Sequence, residues 1–189
     1  MTRFWVGDEQ VAVTLFAIPE QEIVRQKTSD KDGYTAIVVG AQKQVNTEKV
    51  KGNKVSYKYQ CEFKVAEDSL AAYATGTTVT AALLSGVDSV GVVSISKGKG
   101  FQGGIKRHHF AGGPESHGSK FHRALGSTGN RKPRRTNKNQ PMAGHMGDER
   151  KTLKSVPVVE VFEVNGQQML ALKGSVPGAY NSYLQLHLV

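Results

Sequence analysis

The chain has 189 residues, enough for one domain with a buried core, or one domain with a long insertion. Its 25 Lys and Arg against 16 Asp and Glu give a formal net charge of +9 and a sequence pI of about 9.7, a balance that points to a polyanionic partner. No apolar run approaches the ~18 residues of a membrane span, and the segment before Asp8 and Glu9 lacks the apolar stretch of a signal peptide; a cytosolic protein without a membrane partner is expected. The lone Cys61 excludes an intrachain disulfide and a cysteine-based metal site.

The first half reads as short β-prone runs. Val11 to Ile18 and Tyr34 to Ala41 are rich in Val, Ile and Thr. From Tyr57 to Val65 the residues alternate: Tyr57, Tyr59, Cys61, Phe63 and Val65 share one face, while Lys58, Gln60, Glu62 and Lys64 share the other. That period of two predicts a half-buried strand. A short helix is expected over Asp68 to Tyr73, and strands over Thr77 to Leu84 and Val90 to Ile95. Turn signals at Lys31-Asp32-Gly33, Lys51-Gly52-Asn53 and Ser85-Gly86 separate these runs.

Residues 97–151 differ in kind. They hold thirteen Lys and Arg: Lys97, Lys99, Lys106, Arg107, Lys120, Arg123, Arg131, Lys132, Arg134, Arg135, Lys138, Arg150 and Lys151. Three acids, Glu115, Asp148 and Glu149, leave this segment at +10 and the rest of the chain at −1. Ten apolar side chains in these 55 residues cannot bury enough surface to offset the entropy of ordering them. Eleven glycines permit tight turns and close backbone approach. The segment is therefore expected to be a structureless arm that becomes ordered against folded nucleic acid. Strands resume after it. Val156 to Val164, Asn165-Gly166 and Gln168 to Lys173 predict a hairpin, and Tyr183 to Val189 closes the chain. Six to eight short strands predict a mainly β fold, barrel or sandwich, with the arm as an insertion. The expected division is a body of 1–96 plus 152–189 and an arm of 97–151.

The arm's motifs do not carry enzyme chemistry. Gly98, Gly100 and Gly103 match a bare Gly-x-Gly-x-x-Gly spacing, but no βαβ unit supports a dinucleotide site, and the P-loop order is absent. Glycine beside lysine still lets bare amides and cations approach phosphates. His108, His109, His117, His122 and His145 lack the cysteines and apolar shell of a zinc site. They suit base stacking or contacts to phosphate and 2′-hydroxyl. Ser119 near His117 and His122 has nothing to orient it as a nucleophile. Arg131-Lys132-Pro133-Arg134-Arg135 with Lys138 forms a compact cationic cluster suited to flat, bidentate phosphate contact. Neither a cofactor nor a small-molecule substrate is called for. With Phe101 as an exposed-aromatic candidate, these cations and histidines make up the expected RNA-binding set.

Specific blocks then resemble a known family. Ser96-Lys97-Gly98-Lys99-Gly100-Phe101-Gln102-Gly103 followed by Lys106-Arg107, then His117 to Arg123 with Gly126-Ser127, then Pro141 to Gly147 through Glu149-Arg150, and last Lys173 to Gly178, resemble in order and spacing the ribosomal protein L three family of the large subunit. The resemblance implies a translation-factor-like β-barrel on the subunit surface. It implies a long loop reaching toward the peptidyl-transferase centre, and binding near the 3′ end of large-subunit (23S-type) rRNA early in assembly. Neighbours such as proteins L fourteen and L nineteen, a cytoplasmic ribosomal location and no enzymatic activity are implied as well. The chain departs from the family at its start, where a Gly- and Lys-bearing strand would precede Met1-Thr2, and at Gly91, where an acid is usual. His145 replaces a common glutamine, and Arg131 or Lys132 stands where many bacterial members carry a methylated glutamine. Two other readings are a free-standing RNA-binding module or chaperone, which would sediment away from ribosomes, and a small barrel enzyme, which would purify with a chromophore or a metal.

Overall fold

The computed structural model describes residues 1–46, 54–132 and 134–188. These described residues form twelve strands: β1 (Thr2–Val6), β2 (Glu9–Ala17), β3 (Gln21–Lys27), β4 (Ala36–Asn46), β5 (Lys54–Lys64), β6 (Thr78–Val79), β7 (Ser89–Ile95), β8 (Phe101–Gln102), β9 (Gly144–His145), β10 (Arg150–Val164), β11 (Gln167–Lys173) and β12 (Leu184–Leu188). Among the described residues, helix is confined to α1 (Ser29–Asp32), α2 (Gly104–His108) and 3-10 turns at Glu67–Ala72 and Ala81–Leu84. The fold is mainly β, as the sequence predicts. The runs around Val11, Tyr34, Tyr57, Val90, Val156, Gln168 and Tyr183 all contain strands. The Thr77 to Leu84 run does not stay extended: two residues pair as β6 and the rest coil into a 3-10 turn. The predicted turn at Lys51-Gly52-Asn53 lies outside the described residues.

The strands form two larger sheets and one small ribbon. The first sheet runs β1-β2-β11-β10-β7-β12, the second β5-β4-β3-β6, and β8 pairs with β9. The Asn165-Gly166 turn joins β10 to β11 with φ of 52° and 78°, the two positive values that a tight hairpin needs. Pro157 falls inside β10, a strand with neighbours on both sides, and the ladder shifts register beside it, between Val158 and Glu160. A proline has no N–H to give, so an interior strand accommodates it at such an irregularity. Along β5, Tyr57, Tyr59, Cys61 and Phe63 are half-buried while Lys58, Gln60, Glu62 and Lys64 are exposed, matching the alternation in sequence.

The largest fully buried side chains are Val13, Ile23, Val90, Val92, Leu170 and Leu172. Consecutive residues are buried in β4 (Ala36 to Val39), β7 and β11. Each of these strands is interior to its sheet, and unbroken apolar runs fit strands covered on both faces. The first sheet is strongly curled. Three strand spacings of ~4.8 Å separate β1 from β10 in a flat sheet, yet the rings of Phe4 and Phe162 lie 5.6 Å apart.

The curl stops short of a barrel, which corrects the translation-factor-like barrel implied by the family resemblance. β1 and β12 remain edges of the first sheet, and β5 and β6 remain edges of the second. Between β5 and β12 the link is an edge-on contact of Phe63 with His187, 5.4 Å between rings, made by side chains and not by a backbone ladder. On the second sheet, Glu22 accepts hydrogen bonds from Lys43 (2.9 Å) and Tyr57 (2.8 Å), and Lys27 is paired with Glu62 at 2.6 Å. These donors hold both carboxyls below the usual range.

By chain contacts the molecule divides into two compact units. The first is Met1–Val92, Leu153–Val176 and Gln185–Val189; the second is Val93–Thr152 with Pro177–Leu184.

Leu170→Ala should lower unfolding free energy by about 2 to 5 kcal/mol, while Leu188→Ala, at a 57% exposed edge position, should change it by about 0.5 kcal/mol or less; urea denaturation of both variants reads the difference. The depressed carboxyls contribute stability that is full above about pH 4.5, their ordinary value, and is lost as pH falls through their lower folded values. A Glu22→Gln, Glu62→Gln variant should therefore show a flatter fall in thermal stability on acidification below pH 4.5.

Candidate nucleic-acid interface

All nineteen predicted site residues lie in the second unit. Its added piece, Pro177–Leu184, is uncharged, so this unit holds the whole +10.

The arm is not structureless. Its outgoing and returning runs are laced together by backbone hydrogen bonds. Ser96 N donates to Glu149 O (2.9 Å), Asp148 N to Ser96 O (3.2 Å), Lys99 N to Met146 O (2.9 Å) and Met146 N to Gly100 O (3.0 Å). Ser96 Oγ also accepts from Glu149 N at 3.2 Å. The ladder continues as β8 on β9, with Phe101 opposite His145 and Gln102 opposite Gly144. Hydrogen bonds between main-chain groups do not need apolar side chains, so ten apolar residues suffice where a packed core would not form. Glycine makes the approach fit. Gly147 has φ +77°, and a Cβ there would stand 2.1 Å from Lys97 O.

Beyond the ladder, α2 turns the chain over. Arg107 donates through Nη1 to Met142 O (2.8 Å), and His108 Nε2 bonds the same carbonyl at 3.0 Å. A carbonyl only accepts, so Nε2 carries the proton. A Cβ at Gly144 would lie 2.5 Å from Arg107 Nη1, so this glycine makes room for the guanidinium. The few apolar side chains gather nearby: the ring of Phe110 and Leu125 Cδ1 both face the bare Cα of Gly104. Further out, Gly113 N donates to His122 O (3.0 Å) and His122 Nδ1 donates to Pro114 O (3.0 Å), closing a loop. A Cβ at Gly113 would stand 1.9 Å from Phe121 O.

The predicted residues separate into two kinds. Arg107 and His108 are half-buried and each gives one hydrogen bond to Met142 O, so they brace the arm. Lys97, Lys99, Phe101, Lys106, His109, His117, Lys120, His122, Arg123, Arg131, Lys132, Arg134, Arg135, Lys138, His145, Arg150 and Lys151 are exposed. Lys151 pairs with Glu149 at 2.8 Å and holds that carboxyl below its usual range, with Arg107 and His145 adding smaller contributions. Among the described residues no other arm cation forms an ion pair. Closely spaced exposed cations repel one another until a polyanion neutralises them. No described group of three His, Cys, Asp or Glu could hold a metal, and no described helix is long and apolar enough to cross a membrane.

Three exposed aromatics of this unit stand outside the predicted set: Phe121 at 63%, Tyr180 at 89% and Tyr183 at 37% exposure. Phe121 falls inside a block that reads as charge and glycine. Tyr180 lies far along the chain from the arm, and only the Pro177-Gly178 turn marked its segment as special.

Gly147→Ala should open the ladder. Amide exchange at Lys99 and Met146 should rise, while exchange at Leu170 and Leu172 stays slow; uniform protection in the variant would show that the close approach is dispensable.

The model of the family Ribosomal protein L3 matches residues 42–169, a span that includes the whole cationic segment. Similar proteins, each named large ribosomal subunit protein uL3, occur in several bacteria. That of Borrelia garinii subsp. bavariensis is 38% identical over 92% of this chain and 86% of the relative. That of Fervidobacterium nodosum is 37% identical over 96% and 90%, and that of Desulfitobacterium hafniense 40% identical over 93% and 85%. With more than half of its length matched by the family model and near full-length relatives of this identity, the chain belongs to the ribosomal protein L3 family, whose members are structural components of the large ribosomal subunit and not enzymes.

Proposed function

We propose that this protein binds large-subunit rRNA near its 3′ end early in subunit assembly, docking through its β body and extending residues 97–151 between RNA helices toward the peptidyl-transferase centre. Its place is the cytoplasmic ribosome. The observation that carries this reading is the +10 unit, most of whose cations stand exposed, on an arm whose base is a backbone ladder. An exposed row of Lys and Arg gains affinity by releasing counterions from phosphates, and arginine adds bidentate contact. The ladder fixes where Lys97 and Lys99 stand at the base of the arm, which lowers the ordering entropy of binding there. Arg107 and His108 act by bracing the arm; the exposed cations, histidines and Phe101 meet RNA. Neighbouring large-subunit proteins, L fourteen and L nineteen, complete the partner set through the body. Near the catalytic centre the arm would buttress RNA and perform no chemistry of its own.

The test is binding to a transcribed 3′-domain fragment of large-subunit rRNA over a salt series. Replacing Arg131, Lys132, Arg134, Arg135 and Lys138 by Gln should lower the slope of log K against log salt by roughly 3.5 to 4.5, at about 0.7 to 0.9 for each phosphate that is no longer neutralised. Removing residues 97–147 should abolish most of the affinity. If the deleted protein binds equally well and the slope is unmoved, recognition resides in the body and the arm has another role.

A further inference from the structure

We propose that Tyr180, on the turn Pro177–Leu184, is a stacking platform for an unpaired RNA base at the root of the arm. The inference rests on the rRNA-binding reading and adds an interaction of a different chemistry to it. The turn is far from the arm in sequence but belongs to the same compact unit. Gly178 makes that packing possible. Its φ is +133°, and a Cβ there would meet Ser182 Oγ at 2.6 Å, Ser94 Oγ at 2.8 Å and Ile95 O at 3.4 Å. Ile95 precedes Ser96, where the arm's ladder begins.

The turn is held in shape as well as in place. Ser182 N donates to Ala179 O at 3.2 Å, which puts Tyr180 and Asn181 at the two corners of a four-residue turn. Asn181 has φ 58°, the positive value that asparagine tolerates at the third position of such a turn. Tyr180 therefore projects from a fixed corner, and the residue is 89% exposed. A single exposed aromatic is ordinary on a protein surface. This one is set on a braced, uncharged turn inside a unit of net charge +10. Lys97 follows Ile95 by two residues, roughly 7 Å along an extended chain, and Ser96 bonds Glu149, beside Arg150. Cations at the root would hold phosphates, and a neutral ring in the same unit fits the face of a base, since every base presents a π surface. Splayed, unpaired nucleotides are the RNA elements that offer one.

The experiment measures binding of the full chain, as wild type, Tyr180→Ser and Tyr180→Phe, to the 3′-domain rRNA fragment and to a fully paired RNA duplex, each over a salt series. Tyr180→Ser should weaken binding to the fragment roughly five- to a hundredfold, with the salt slope unchanged because no cation is removed. Tyr180→Phe should bind like the wild type, and the duplex should not distinguish the three proteins. Unchanged thermal unfolding of Tyr180→Ser is the check that the fold is intact, as expected at so exposed a position. Wild-type affinity in Tyr180→Ser, equal weakening in Tyr180→Phe, or equal weakening on the duplex would each overturn the proposal. None of those results touches the arm reading, which fails separately if the five-cation variant keeps the full salt slope.

Discussion

The close approach of two backbone runs at the base of the arm is the constraint on which the rest depends. From Ser96 to Gln102 and from Gly144 to Glu149 the chain pairs with itself, and at Gly147 there is no room for a Cβ. A segment with thirteen cations and few apolar side chains cannot be ordered by a hydrophobic core. It is ordered instead by main-chain hydrogen bonds and by side-chain braces, Arg107 and His108 on the Met142 carbonyl and His122 on the Pro114 carbonyl. Gly113, Gly144 and Gly147, which look in sequence like flexibility, act here as clearance.

That arrangement separates two tasks within one chain. Residues outside 97–151 sum to −1 and contain nearly all of the core, with Ile23, Leu170 and Leu172 fully buried. The second unit carries the excess charge and leaves most of it exposed. Concentrated like charge is destabilising by itself. Here it is carried on a unit whose base is held by backbone bonding.

Much of this was legible in the sequence. The alternation from Tyr57 to Val65 made a strand because half-burial repeats every two residues, and Asn165-Gly166 made a hairpin because both residues tolerate positive φ. Other elements were hidden. Thr2–Val6 and Gln21–Lys27 mix polar and apolar residues too evenly to stand out, and become strands through their partners β2 and β4. Thr77 to Leu84 has β-prone composition but only two of its residues find a partner strand. The barrel implied by family likeness fails for a similar reason: closure depends on whether edge strands meet, and here a ring contact stands where a ladder would be.

The sequence by itself determined the class of the fold, the place of the excess charge and the family, because periodicity, composition and motif order are properties of the chain read locally. That Arg107 bonds within the arm while most of the other cations stand exposed was decided only in three dimensions: Arg107 lies 35 positions from the carbonyl it binds. The grouping of Tyr180 with the arm was likewise invisible until Gly178 was seen against Ser94. Contacts between distant segments depend on backbone clearance and sheet register, and neither is written in any one stretch of residues.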